Sequence, residues 1–197
     1  ISCSLVGSEM CIRDRYYTDD WSETTVKTNV AQNKAAGGTS YKSGDAVDNA
    51  ERRINVAFKA FDGDAFTEKE DTTAKPDTST SEMNSFWKGY HADSSLCVDL
   101  GETRTVSEVE IQWRYGGKGK DFNILVSDDG ENWTTAKEVR GNGDFFNTVS
   151  LDEPTEARYV KMQGIASNAS AGIYMIQEFK VYETVDKTQL NTPVSYT

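Results

Sequence analysis

Apolar residues in this chain recur at every second position over several stretches, and that spacing leaves little choice of secondary structure. Leu96, Val98 and Leu100 alternate with Cys97 and Asp99, Val109, Ile111 and Trp113 with Glu110 and Gln112, and Phe122, Ile124 and Val126 with Asn123 and Leu125. Side chains alternate sides in an extended chain, so each stretch predicts a strand with one buried face. Residues 134–139, 145–151, 158–163 and 177–182 are rich in β-branched and aromatic types and predict further strands. Between two of these stands Ser127-Asp128-Asp129-Gly130-Glu131-Asn132, where Gly130 can take the positive φ of a tight hairpin connection. Short strands, turns between them and almost no helical periodicity predict an all-β sandwich or barrel.

The rest of the chain divides by composition. Residues 1–28 read as a leader and linker outside the fold. The string from Ser4 to Arg15 looks like a translated sequencing-adaptor tail of the kind found on metagenomic gene fragments, and a polar segment from Tyr16 to Thr28 follows it. Residues 29–183 form the body, and the Thr-rich residues 184–197 read as a C-terminal linker. A low-hydrophobicity stretch from Glu68 to Ser85 is too long for a turn and predicts an excursion loop.

Charge narrows the function. Thirty-two Asp and Glu against 21 Lys and Arg leave a net charge of -11. Nucleic acid or an anionic membrane would be repelled by that field, and no basic run offsets it, so neither is expected as a partner. A single histidine, His91, and three cysteines, Cys3, Cys11 and Cys97, offer a poor basis for a catalytic triad or a zinc site. The glycines from Gly116 to Gly119 lack the spacing of a phosphate loop, and no carboxylate pair is singled out for glycoside hydrolysis. The chain is not expected to be an enzyme. One cluster does carry chemistry: Asp62-Gly63-Asp64, followed by Thr67, can turn two carboxylates and a hydroxyl onto one hard cation. A metal-free Asp-Gly turn is the alternative reading.

Six strings occur in a telling order. They are Ala60-Phe61-Asp62-Gly63-Asp64-Ala65-Phe66-Thr67, Leu96-Cys97-Val98-Asp99-Leu100-Gly101, Val109-Glu110-Ile111-Gln112-Trp113, Val126-Ser127-Asp128-Asp129-Gly130-Glu131-Asn132-Trp133-Thr134, Ala157-Arg158-Tyr159-Val160-Lys161 and Gln177-Glu178-Phe179-Lys180-Val181-Tyr182. Together they resemble the coagulation factor V/VIII type C (discoidin) family, and within it the bacterial family 32 carbohydrate-binding modules. The resemblance implies a galactose-binding-like jelly-roll β-sandwich of about eight antiparallel strands. It also implies a structural Ca2+, held by the side chains of Asp62, Asp64, Thr67 and Glu178 with backbone carbonyls of Lys59 and Gln177.

Sandwich modules bind sugars on the loops at one end, where aromatic faces stack on a pyranose and polar groups address its hydroxyls. The stretches from Phe86 to His91, from Arg114 to Lys120 and from Ile165 to Tyr174 offer that mixture. The candidate ligand-binding residues are Trp87, Lys88, Tyr90, His91, Arg114, Tyr115, Asn168 and Tyr174. Family resemblance places Arg114 at a sugar-binding position, puts Lys88 where galactose binders carry His, and gives Trp87 an alternative role closing the sandwich. The expected function is a non-catalytic, calcium-stabilised carbohydrate-binding module that attaches a secreted or surface multidomain protein to a glycan, tethered to other domains of a longer chain. The alternative is an adhesion or assembly domain, on a cell surface or virion, that binds protein. A lipid-head-group binder ranks third because of the acidity. An extracellular or cell-surface location follows from the first two readings.

Overall fold

The computed structural model describes residues 25–39, 56–66, 70–76, 85–169 and 172–186. Eight strands run in chain order: β1 Thr25–Asn29, β2 Ala35–Gly38, β3 Trp87–Gly89, β4 Ser95–Trp113, β5 Gly119–Ser127, β6 Thr134–Val139, β7 Phe146–Ser167 and β8 Tyr174–Asp186. The only helical element among the described residues is a 3₁₀ turn, Ala57–Ala60. One compact unit spans Lys27–Thr184, and the other, Ile1–Val26 with Val185–Thr197, falls almost wholly outside the described residues.

The strand order is β1-β8-β4-β7-β5-β6, with β2 also paired to β4 and β3 to β8. A flat sheet in that order would hold β8 and β5 three places apart. Phe179 and Val181 of β8 nevertheless share one core with Phe122 and Ile124 of β5. The sheet therefore folds over on itself into the expected jelly-roll sandwich. Its corner lies in β4. The first half of that strand pairs with β2 and with the end of β7, and the second half with β8 and the start of β7. Register shifts between Asp99 and Arg104 and between Val106 and Glu108 make the bend, and Gly101 takes φ 87° there.

The alternation in the sequence is realised as burial. Leu96, Val98, Leu100, Val109, Ile111, Trp113, Phe122 and Ile124 are wholly buried. Phe61 and Phe179 meet edge to face with ring centroids 5.5 Å apart, a favoured geometry for two quadrupoles. On the outer face polar groups pair across strands. Arg158 grips Asp99 with two parallel bonds of 2.9 Å, and Lys180 Nζ reaches Glu110 Oε2 at 2.9 Å. Gly130 closes the hairpin between β5 and β6 with φ 77°. Asp129 Oδ1 accepts from the amides of Glu131 and Asn132 at 2.8 and 2.7 Å, and these bonds hold its carboxyl well below the usual range.

Two pairs of expected strands are each one long strand: the stretches near residues 96–100 and 109–113 merge into β4, and 145–151 and 158–163 into β7. The register shifts interrupt alternation without ending the strand, so periodicity reads them as gaps. Three strands were not expected. β1 begins inside the lead-in segment, and β2 and β3 are four and three residues long, too short to show a period. The excursion between Glu68 and Ser85 is described only at residues 70–76 and 85; its Thr72 carbonyl accepts from Phe145 N at 2.7 Å. Cys97 is half-buried, and burial pushes its thiol up to about 11, so it stays protonated at neutral pH.

At Gly164 the backbone packs tightly against a core ring. A Cβ there would stand 2.6 Å from the ring of Tyr174, whereas one at Gly143 would meet nothing within 4 Å. Gly164→Ala is expected to destabilise the fold by about 1–3 kcal/mol through overpacking, and Gly143→Ala to change it little. Urea denaturation of the two variants compares them directly. Equal midpoints would contradict this packing.

Candidate functional site

Four loops gather at one end of the sandwich: 90–94, 114–118, 140–145 and 168–173, the last described at 168, 169, 172 and 173. They are held by backbone bonds to one another as well as by the strands. Asn168 N donates to Lys118 O at 2.9 Å, Asn142 N to Lys120 O at 2.8 Å and Met175 N to Gly117 O at 2.7 Å. Beneath them lies Trp113, the last residue of β4. Its ring packs on Phe122 at 5.4 Å and Tyr174 at 6.3 Å, and its Nε1 donates to Asn147 Oδ1 at 2.6 Å. Asn147 Nδ2 in turn donates to Asn142 Oδ1 at 2.8 Å, so the indole sets the height of the 140–145 loop as well as that of its own.

On this floor sits a cleft of about 210 Å³ lined by Tyr115, Gly116, Lys118, Phe145, Asn168 and Ala169. Tyr115 is 60% exposed, a large aromatic surface for a residue with no packing duty. Lys75 Nζ lies 4.2 Å from its ring centroid. The Lys118 ammonium stands 4.2 Å from the Phe145 centroid and donates to Gly143 O. The exposed Asn168 donates through Nδ2 to Asn142 O at 3.4 Å. The cleft thus combines one ring to stack on, one amide, one ammonium and an apolar wall.

The structure divides the eight expected ligand-binding residues. Tyr115 and Asn168 meet in the cleft. Trp87 and Tyr174 do not belong to the rim: at 1% and 0% exposed a ligand cannot reach them, so Trp87 takes its alternative role closing the sandwich, and the reading of Tyr174 as a rim residue is corrected. Burial pushes the Tyr174 hydroxyl up to about 12, and it donates to Ala92 O at 2.8 Å. Lys88, only 8% exposed, pairs with Met175 across β3 and β8 and places its ammonium 4.8 Å from the Tyr90 centroid. His91 N donates to Ser94 Oγ at 3.1 Å in the loop that follows. Lys88, Tyr90 and His91 do not line the cleft. Phe145 and Lys118 were missed. Phe145 reads in the sequence as the start of a strand, and Lys118 as one of several charges in a Gly-rich loop.

Arg114 turns the other way, toward the expected metal loop. Its guanidinium lies 4.3 Å from the Phe86 centroid and 5.7 Å from that of Phe66, and Nη1 donates to Gln177 Oε1 at 2.7 Å. Burial lowers its pKa, and the charge of Asp64 opposes that shift. Gln177, itself fully buried, donates through Nε2 to Asp64 O at 2.5 Å, and Phe66 N donates to Gln112 Oε1 at 2.7 Å. The 62–66 loop is therefore bound to β4 and β8 at several points.

Glu178 lies within this network at 1% exposure, with Gly63 N donating to its Oε2 at 3.3 Å. Burial, then the nearby charges of Asp62 and Asp64, push its carboxyl up to about 8. Asp62 accepts from Asp64 N at 3.0 Å and from Ser85 Oγ. The register of β4 with β8 passes from Gln112↔Glu178 to Trp113↔Ile176, leaving Gln177 as the extra residue of a bulge. Lys59 is in the 3₁₀ turn, and Thr67 lies outside the described residues. No three acidic, His or Cys side chains among the described residues converge on one point. The oxygen-only donor set, with Glu178 buried beside the charges of the half-buried Asp62 and Asp64, suits a hard cation.

Comparison with known proteins places this geometry in context. The family model described as F5/8 type C domain matches residues 44–179, well over half of the chain. A search of the curated proteins gave no match. Among solved structures, chitosan-binding module 1 of a chitosanase/glucanase from Paenibacillus sp. IK-5 is 24% identical with a TM-score of 0.58, over 79% of this chain and 98% of that one. The family 32 CBM of C. perfringens NanJ, in complex with galactose, is 24% identical with a TM-score of 0.57, over 80% of this chain and all of that one. The lectin domain of lectinolysin, complexed with Lewis B antigen, is 20% identical with a TM-score of 0.56, over 79% and 96% of the two chains.

The setting of Arg114 changes what its removal should do. An exposed rim charge would be lost at little cost, as expected from its place in the sequence. Here Arg114→Ala uncovers two phenyl rings and strips a donor from the buried Gln177 Oε1, so a loss of about 1–3 kcal/mol is predicted. Thermal denaturation measures it. A melting temperature equal to that of the wild type would show that the guanidinium stabilises nothing.

Proposed function

This chain belongs to the F5/8 type C domain family, and from that premise we propose that it is a non-catalytic carbohydrate-binding module. The observation that carries the proposal is the cleft at the loop end, where the 60% exposed ring of Tyr115 stands beside the Asn168 amide and the Lys118 ammonium over Phe145. A pyranose has an apolar face and a hydroxyl rim. Tyr115 would take the face, and Asn168 and Lys118 the hydroxyls. The fold shared with modules and lectins whose structures hold sugars supports this reading.

Affinity in such a cleft is modest. One stacked aromatic contributes about 0.5–1.5 kcal/mol beyond its buried area, and each solvent-competed hydrogen bond about 0.5–1.5 kcal/mol. Set against the cost of association, a dissociation constant of ~0.1–1 mM follows. That is sufficient for a module whose task is to hold a secreted or surface multidomain protein near its glycan, since tethering makes further binding events intramolecular. No chemistry on the sugar is assigned to this chain.

A structural Ca2+ completes the proposal. Asp62, Asp64 and Glu178 would hold it with Thr67 and the carbonyls of Lys59 and Gln177, and it would supply the positive charge that the buried Glu178 otherwise lacks. Such an ion would join the loop after the 3₁₀ turn to the last strand, a stabilising rather than a ligand-contacting role.

Two experiments test these statements separately. On a glycan array the wild-type chain should bind, and Tyr115→Ala should weaken the best ligand by roughly five- to tenfold, as loss of one stacking contact demands, with an unchanged melting temperature. Undiminished binding by that variant would remove the cleft from the account. For the metal, calcium at a hundred times its dissociation constant should add about 2.7 kcal/mol of stability that a chelator removes. Glu178→Gln should abolish that response and, in chelator, be at least as stable as the wild type, because the metal-free fold no longer has to neutralise a buried carboxyl. A wild-type melting temperature indifferent to both calcium and chelator would refute the metal.

A further inference from the structure

We infer that the Tyr115 cleft selects acidic sugars, pyranoses bearing a carboxylate or a sulfate, over neutral and amino sugars. This rests on the carbohydrate-binding reading and adds to it the charge of the ligand. At first sight the net charge of -11 argues the reverse. Range decides the matter. At physiological ionic strength a charge is screened over about 8 Å, so a bound sugar responds to the groups around it and barely to the rest of the surface.

Those groups are cationic. Lys118 lines the cleft, and Lys75 lies over Tyr115. Among the described residues no carboxylate lines the cleft. Acidic residues of the neighbouring segments stand outside that lining: Asp144 Oδ1 accepts from Thr72 Oγ1 at 2.9 Å, Asp71 Oδ1 from Thr73 N at 3.0 Å and Asp121 Oδ1, on β5, from Gly141 N at 2.8 Å, while Asp93 belongs to the 90–94 loop. The Lys118 ammonium is also held in place, against the Phe145 ring at 4.2 Å and on Gly143 O, so less of its freedom remains to be lost when an anion arrives. An ammonium has three donors, and the bond to Gly143 leaves capacity for an oxyanion. A sugar carrying an amine would meet like charge in the same place.

The test uses matched oligosaccharides and isothermal titration calorimetry on the full chain. Galactotriose is paired with trigalacturonate, mannotriose with trimannuronate, and a sulfated galactotriose separates sulfate from carboxylate. The acidic member of a binding pair should bind roughly three- to tenfold more tightly at 20 mM NaCl, the gain of one or two exposed ion pairs. That advantage should shrink at 300 mM NaCl. The double variant Lys75→Gln, Lys118→Gln should lose both the preference and its salt dependence, while Lys137→Gln, on β6 away from the cleft, should keep them. Three results would overturn the inference. Neutral members that bind as tightly as acidic ones would leave the carbohydrate reading standing and remove the acid preference. A preference that survives the double variant would assign it to other groups. Failure of every member to bind at millimolar concentration would defeat both readings.

Discussion

The indole of Trp113 holds together what this domain needs to hold. It ends β4, packs on Phe122 of β5 and Tyr174 of β8, and its one polar atom bonds Asn147 of β7. Four strands are thereby fixed relative to one another at the end where the loops emerge. Gly119 packs so closely on this ring that a Cβ would come within 2.7 Å. The loops above inherit that rigidity through the Asn147–Asn142 bond and the backbone bonds among residues 117, 118, 168 and 175. A weak ligand site profits from such preorganisation, because ordering a loop on binding would consume most of the few kcal/mol available.

The two proposed sites share this frame without sharing residues. The cleft opens on the side of Tyr115, and Arg114, one residue earlier, points into the network of Gln177, Asp64 and Glu178. Successive side chains leaving a strand diverge, and here the divergence separates a surface for ligand from a cluster of buried charge. Burying Glu178 beside Asp62 and Asp64 is costly for a metal-free fold. A cation of the kind proposed converts that cost into a link between the first loop and the last strand.

The fold was largely legible because one-sided burial writes a period of two. The merged strands β4 and β7 show the limit: a register shift breaks the alternation, while the strand runs on through it. β2, spelled Ala35-Ala36-Gly37-Gly38, has no alternation to read. The site was less legible. Tyr115 and Asn168 stood out as exposed types in loops, but Tyr174 looks the same in a string of letters and is core. Composition marks an aromatic near a loop; it does not say on which side of the backbone the ring falls. Phe145 and Lys118 reach the cleft only because 140–145 folds against 114–118, a proximity of residues about 27 apart that no local pattern carries.

The central claim is that a rigid loop end presents one sugar cleft at Tyr115. Amide chemical-shift mapping during titration with a bound oligosaccharide tests it most directly. Shifts concentrated at 115–118, 143–145 and 168–169, with residues 62–66 and 177–178 unmoved, are the predicted result. Shifts centred on another face of the sandwich would contradict it.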